Sequence, residues 1–433
     1  MTPNEEKPQL GTAEAEITSP ESSLIQRGFS PRRLFHSFTY RDYRYFWTGA
    51  LLSNIGTWMQ MIALGWIVLE MTNSAFYVGL VNFTSQIPVF FLVFLAGVAA
   101  DRFNRKNLVI LTQTVAMVLA FLLGFLIQTH QASISLIMII SIGTGISTAV
   151  AFPAWQALIS DIVPKKNLMN AIALNSAQFQ SSRMVGPAIA GLVLATWGAS
   201  SNFYINGVSF IAVIIALFLM RPSIPDHGDA GDSLFKQLKT GFTFAWERPA
   251  IRVLLSTTAL VTFFGLSYIA LMPVFARDIL KGGATGFGFL MAANGGGAVV
   301  GALAVAYLAN VVRRDLLIKS GAIVCGASLM LFSLSRSFLL SMCILVVTGA
   351  GFLVTTSSLN TSLQHLTPGA IRGRIMSMFV WCFMGMMPFG SLIAGAIAEK
   401  IGAPIAVFAG GSLTLLTGLS LLFMRSLDLV DKP

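Results

Sequence analysis

Runs of about twenty consecutive apolar residues, the length that carries an α-helix across the hydrocarbon core of a bilayer, recur along this chain from near residue 46 to residue 424. The runs are continuous and not confined to every third or fourth position, so they are not the buried faces of water-soluble helices. Inside lipid, backbone N–H and C=O groups have no water to bond, which leaves helices and closed barrels as the spanning structures. Runs this long select helices. Charged residues are 11% of the chain and hydrophobic ones 55%, against roughly 25% charged in a soluble domain. That is too little polar surface for a chain of 433 residues in water. The expected class is an all-α membrane protein.

Twelve spans are expected, near 46–69, 77–99, 107–129, 132–157, 169–196 and 202–220, then 251–275, 286–309, 316–335, 338–362, 373–398 and 403–424. They divide the chain into five parts. Residues 1–40 form a tail and a basic, aromatic juxtamembrane segment, the first 28 being too poor in large apolar residues to fold. Residues 41–220 and 251–425 are six-helix bundles, 221–250 is a polar linker, and 426–433 is a second tail. Phe235, Leu238, Phe242 and Phe244 mark a short interfacial helix in the linker. Residues 1–30 lack an apolar core, so no cleavable signal peptide is expected there.

The net charge of +10 would suggest a nucleic-acid partner in a soluble chain, but its placement gives another reason. With the N-terminus inside, only Arg277, Lys281, Arg336 and Lys400 lie in outside loops and Arg183 lies within a span, leaving 23 of the 28 basic residues on the cytoplasmic side. Such an excess orients membrane proteins. Both termini are expected in the cytoplasm, in the inner membrane, with no nucleic acid as partner. The three cysteines, Cys325, Cys343 and Cys382, all fall inside apolar runs and read as small packing residues, not as a disulfide or metal framework.

The halves repeat each other. Gly186-Pro-Ala-Ile-Ala-Gly191 followed by Gly198 aligns with Gly390-Ser-Leu-Ile-Ala-Gly395 followed by Gly402, at an offset of 204 residues. An earlier stretch matches at an offset of 209, carrying Gly79 onto Gly288 and Arg105 onto Arg314. Two similar halves are how many secondary transporters build a midplane site that opens to either side in turn.

Between the second and third spans stands Gly97-Val-Ala-Ala-Asp101-Arg102-Phe-Asn-Arg105-Lys106. It resembles the signature loop of the major facilitator superfamily, with Asn104 where the family usually has glycine. Asparagine tolerates a left-handed backbone, so the turn can survive. Gly97 is expected to let two helices approach, Asp101 to bond backbone donors, and Arg102, Arg105 and Lys106 to hold the loop at the cytoplasmic face. In the family this loop latches the halves together on that side. A second element, Gly186, Pro187 and Gly191 in the fifth span, resembles the G-P-x-x-G-G element of superfamily exporters, with Ala190 replacing one glycine. Proline bends a helix and small residues permit tight packing, which can seal an exporter against leak.

These elements, the first span from Trp58 to Glu70, and the Arg372-Gly-Arg374 loop together resemble the branch containing the enterobactin exporter and macrolide efflux proteins. The resemblance covers most of residues 40–425. It implies the major facilitator fold, two pseudo-symmetric six-helix bundles, and efflux of a bulky organic molecule against proton movement. Two other readings stay open at this point: uptake of a metabolite by symport, and a membrane sensor that has kept the fold without transporting.

A cation at mid-helix is costly, so Arg183 must face protein or water, and it is expected to bind an anionic group, organise a gate, or bond helix carbonyls. Helical spacing draws the cavity lining from Asn54, Trp58 and Met61 in the first span, and Ser176, Gln180 and Arg183 in the fifth. Tyr268, Asn294, Asn360, Trp381 and Met384 add to it from the second half. Such a mixture suits an amphipathic, aromatic small-molecule substrate. Coupling to an ion, proton before others, needs a titratable group in the pathway, and Glu70 at the end of the first span is the candidate. No phosphate-binding loop, metal-ligand cluster or nucleophile–base arrangement is present in the sequence, so no cofactor, no metal and no enzyme activity are expected, and the chain is expected to act as a monomer.

Overall fold

The computed structural model describes residues 35–220, 234–308 and 311–424. The first half contains α1 (Arg41–Thr72), α2 (Ala75–Arg102), α3 (Arg105–Gln128), α4 (Ile134–Ile162), α5 (Leu168–Trp197) and α6 (Ala199–Leu219). A linker helix, α7 (Leu234–Glu247), leads to the second half, where the seventh span is divided between α8 (Pro249–Gly265) and α9 (Tyr268–Val274). α10 (Gly283–Leu308), α11 (Arg314–Leu334) and α12 (Phe338–Leu366) follow. The eleventh span is divided between α13 (Gly369–Gly385) and α14 (Met387–Ile401), and α15 (Ala403–Ser420) is the twelfth.

Eleven of the spans are long and apolar enough to cross a membrane on composition alone. The other, α5, is 30 residues long but carries Asn170, Asn175, Gln178, Gln180 and Arg183 along its length. A helix that polar at membrane depth is held by protein or water contacts and not by lipid. The apolar surface points outward instead: Leu111, Val115, Val118, Leu122 and Phe125 form one exposed stripe along α3, as a lipid-facing helix requires.

The spans agree with the expected ones but differ at two places. The seventh breaks at Leu266 and Ser267 and ends in a single π-helical turn, Phe275–Ile279, while the eleventh breaks at Met386. Their repeat partners, α1 and α5, run unbroken, α5 even through Pro187. The expected interfacial helix is α7, on which Phe242 and Trp246 stack at 5.9 Å with both rings exposed, and Arg248 just beyond its end stands 4.0 Å over Phe244. Lys319, which charge placement alone assigns to the near-side excess, is buried and bonds Asp315 at 3.0 Å.

Both termini of the described chain lie at one end of the bundle, here the near end; the turn at Asn73–Ser74 and the breaks at Gly198 and Gly402 lie at the far end. Gly198 and Gly402 have positive φ (80° and 95°), so the repeat extends to backbone conformations that favour glycine. The buried apolar residues divide unevenly between the two ends. Toward the far end one cluster joins Met59, Ile62 and Trp66 of the first half with Leu271, Phe275 and Phe287 of the second. Toward the near end each half has its own core, around Tyr43, Phe46 and Leu158 in one and Leu254, Leu359 and Ile375 in the other. The halves are therefore joined at the far end and separate at the near end.

Candidate functional site

The far-end junction is built from the repeated glycines. A methyl placed on Gly191 of α5 would stand 2.9 Å from Gly288 Cα of α10, and one on Gly395 of α14 would stand 3.1 Å from Gly79 Cα of α2. Gly191 and Gly395 are repeat partners, as are Gly288 and Gly79, so the two contacts are copies of each other with the halves exchanged. Gly186 and Gly390 make a third matched pair, resting on α1 at Ile55 and Trp58, and on α8 at Phe263. Trp66 stacks on Phe287 across the same junction at 6.3 Å. Backbone contact this close needs glycine, because any Cβ would displace main chain.

Two charged side chains of the second half grip the short turn between α1 and α2. Arg277 bonds Leu69 O at 3.2 Å and Asn73 Oδ1 at 2.5 Å, reaching the carbonyl end of α1, while Asp278 holds its guanidinium at 2.7 Å. Glu399 accepts from Ser74 Oγ at 2.9 Å and from Phe76 N at 3.3 Å, at the amide end of α2. Each charge matches the helix end that it meets. With Arg277→Ala and Glu399→Ala combined, this clasp should be lost. Labelling of Met61→Cys by an impermeant maleimide, in a background with Cys325, Cys343 and Cys382 replaced by serine, should then speed up severalfold. An unchanged rate would remove the clasp from the account.

Mid-depth, the halves are joined by polar groups. Arg183 Nη2 donates to Asn294 Oδ1 at 2.9 Å, and Asn294 Nδ2 donates to Tyr268 OH at 2.6 Å. The guanidinium lies 5.9 Å over the Trp58 ring, which meets Phe179 edge-on at 6.1 Å. Tyr268 stands immediately after the break in the seventh span, and irregular backbone at membrane depth is tolerated where protein or a cavity surrounds it. Four of the expected lining residues, Trp58, Arg183, Tyr268 and Asn294, thus form one connected group. Asn54 bonds Gln178 at 3.4 Å one turn away, and Met61 lines a recess with Gly65, Asn82, Pro273 and Met291.

The rest of the expected lining is more dispersed. Gln180 and Met384 are half-buried. Asn360 accepts from Gln364 of its own helix at 2.6 Å, and Trp381 Nε1 donates to Phe90 O of α2 at 3.3 Å, inside an aromatic cluster with Phe389. Glu70 is exposed at the far end of α1, away from Arg183.

In the expected latch, Arg105 pairs with Asp161 at 2.8 Å and Lys106 caps α6 at Met220 O, 2.7 Å; both partners belong to the first half. Arg102 is exposed, and the side chain of Asp101 lies outside the described residues. Two expectations need correction. Among the described residues, a methyl on Gly97 would have no neighbour within 4 Å, in keeping with near ends that stand apart, so this glycine makes no close contact with a described helix here. Asn104 is not left-handed but extended (φ −60°, ψ 111°), and its side chain accepts from Asn107 N to cap α3. Sequence reasoning missed Arg277 and Glu399. The available signal was the two-residue turn at Asn73–Ser74, which sets the open ends of two helices side by side.

A family described as transmembrane secretion effector matches residues 34–432. Among curated proteins, the staphyloferrin A transporter of Staphylococcus aureus is 27% identical over 361 residues, covering 83% of this chain and 90% of that one. The multidrug efflux pump Tap of Mycolicibacterium fortuitum is 22% identical, covering 89% of this chain and 96% of Tap. The enterobactin exporter EntS of Shigella flexneri is 28% identical, covering 79% and 80%. Among solved structures, the nucleoside transporter NupG shares the fold at a TM-score of 0.69 and 14% identity, covering 88% of this chain and 98% of NupG.

Proposed function

This chain is a member of the transmembrane secretion effector family of the major facilitator superfamily, and from that premise we propose that it exports a small organic compound, siderophore or drug-like, by alternating access. The observation that carries the reading is the pair of separate near-end cores beside one shared far-end core. A molecule joined at one end and parted at the other is one of the two states that alternating access requires. The charge asymmetry supports a cytoplasmic near end, so this is the inward-open state in a bacterial inner membrane, ready to load from the cytoplasm. The glycine junction and the Arg277–Glu399 clasp then close the outer side. Export against the gradient requires coupling, for which we propose proton antiport by a monomer. Glu70, exposed at the outer end of α1, is the carboxylate we assign to that coupling.

Support for export as the direction comes from the fifth-span seal and from relatives whose names say they export or pump out siderophores and drugs. The test is accumulation of fluorescent drugs and catecholate siderophores in cells with and without the protein, repeated with a proton uncoupler. Lower accumulation that the uncoupler restores is the expected result. Higher accumulation of a panel compound would overturn export in favour of uptake by symport.

A further inference from the structure

The Arg183 guanidinium is a charge without a counter-charge among the described residues. Ion pairs there join Arg41 to Asp42, Arg105 to Asp161, Arg277 to Asp278, and Arg313 and Lys319 to Asp315. None involves Arg183. A guanidinium carries five N–H donors, and the acceptor described for this one is a neutral amide, Asn294 Oδ1. Buried cations in membranes are ordinarily paired or face a pathway. On the near-end side of Arg183, Ser176 and Phe179 are exposed along α5, and the Phe179 and Trp58 rings form an aromatic wall beside the guanidinium.

We propose that the compound carried is an organic anion with an apolar or aromatic body, and that its acidic group takes the Arg183 guanidinium from Asn294. The proposal rests on the transporter reading above and names the substrate class of that site. A carboxylate or catecholate presents two oxygens at the spacing of the guanidinium fork. Two parallel bonds from the fork to an anion add a second hydrogen bond and a counter-charge to what the single bond to Asn294 Oδ1 supplies. When Asn294 gives up Arg183, its Nδ2 keeps the bond to Tyr268 OH and only its Oδ1 acceptor is released, a cost that the bonds from Arg183 to the anion must exceed. The consequence of the exchange is mechanical as well. Arg183 belongs to the first half and Asn294 to the second, so an arriving anion breaks a bond between the halves at mid-depth. A ligand that binds better when the halves are released shifts the protein toward that state. A cationic compound meets Arg183 as a like charge and has no group to exchange for Asn294.

Purified protein in lipid nanodiscs would be titrated with fluorescein and with rhodamine 123, an anion and a cation on the same xanthene skeleton, by fluorescence polarisation. Wild type should bind fluorescein on the order of tenfold more tightly than rhodamine 123. Arg183→Gln should lose that preference, and Arg183→Lys should keep part of it. Asn294→Asp should lose it too, because it supplies an internal carboxylate to Arg183 without removing the cation. Equal affinity for the two dyes, no measurable fluorescein binding, or an unchanged preference in Arg183→Gln and Asn294→Asp would overturn the proposal. A merely structural Arg183 would lower the thermal stability of Arg183→Gln and leave the preference intact. Equilibrium binding does not depend on transport direction, so failure of the export reading in cells and failure of this one are separately visible.

Discussion

Gly191→Leu should abolish transport and leave the protein's abundance in the membrane unchanged. The leucine side chain must occupy a place where even one methyl would lie 2.9 Å from Gly288 Cα and 3.0 Å from Ala284 O. Neither neighbour is a flexible side chain, so α5 and α10 must separate. Overpacking of this kind costs about 1–3 kcal/mol in ordinary cores, and here the cost falls only on the state closed at the far end. At about 3 kcal/mol the ratio of the two states shifts roughly 150-fold. A transporter that cannot close that end neither reloads nor holds its gradient. Gly288→Leu should do the same from the other side, and Gly395→Leu should mimic both through the matched α2–α14 contact. Efflux assays in cells, with membrane abundance measured by immunoblot, check this. Export at wild-type rate by Gly191→Leu would show that the glycine contact is packing without a role in the cycle.

Arg183→Met should leave abundance unchanged or raise it, and yet cut export on the order of a hundredfold. The two halves of this expectation come from different energies. A mid-span arginine costs about 2.5–3.5 kcal/mol on insertion, so its removal relieves the membrane-inserted chain. The bond to Asn294, and whatever acidic group replaces Asn294 in the loaded state, is charge-assisted and worth about 1.5–3 kcal/mol. The repeat itself points to methionine, since Arg183 aligns with Met387 at the offset of 204 residues. The scaffold accepts methionine in that place in one half. Export by Arg183→Met at the wild-type rate would refute a functional Arg183. Loss of the protein from the membrane would instead make the arginine a structural residue.

The spans were legible because the apolar runs and the basic loops follow directly from the energetics of lipid, which act residue by residue. The repeat was legible for the same reason, and it carried more than symmetry: Gly79, Gly191, Gly288 and Gly395 were aligned in sequence before they met in space. The group Trp58, Arg183, Tyr268 and Asn294 was drawn from helix faces, and the structure joins it. What sequence did not reveal depends on which helix ends come together. Arg277 and Glu399 bind open amides and carbonyls of α1 and α2, groups that every helix has and that no residue type advertises. Gly97 failed as a contact for a related reason. Its spacing is suited to a close approach, but whether two near ends approach is a property of the state and not of the sequence.

The breaks at Leu266–Ser267 and at Met386 fall in one half only. Their counterparts in the first half are uninterrupted rods of 32 and 30 residues. One arm of the molecule is thus stiff and the other is jointed, and both joints lie near the middle of the bilayer. A stiff arm transmits a push at one end to the other in full; a jointed arm can bend its inner portion while its outer portion stays docked. The way in can therefore narrow behind a captured molecule before the opposite face begins to part, which is the order of events that keeps a pump from becoming a channel.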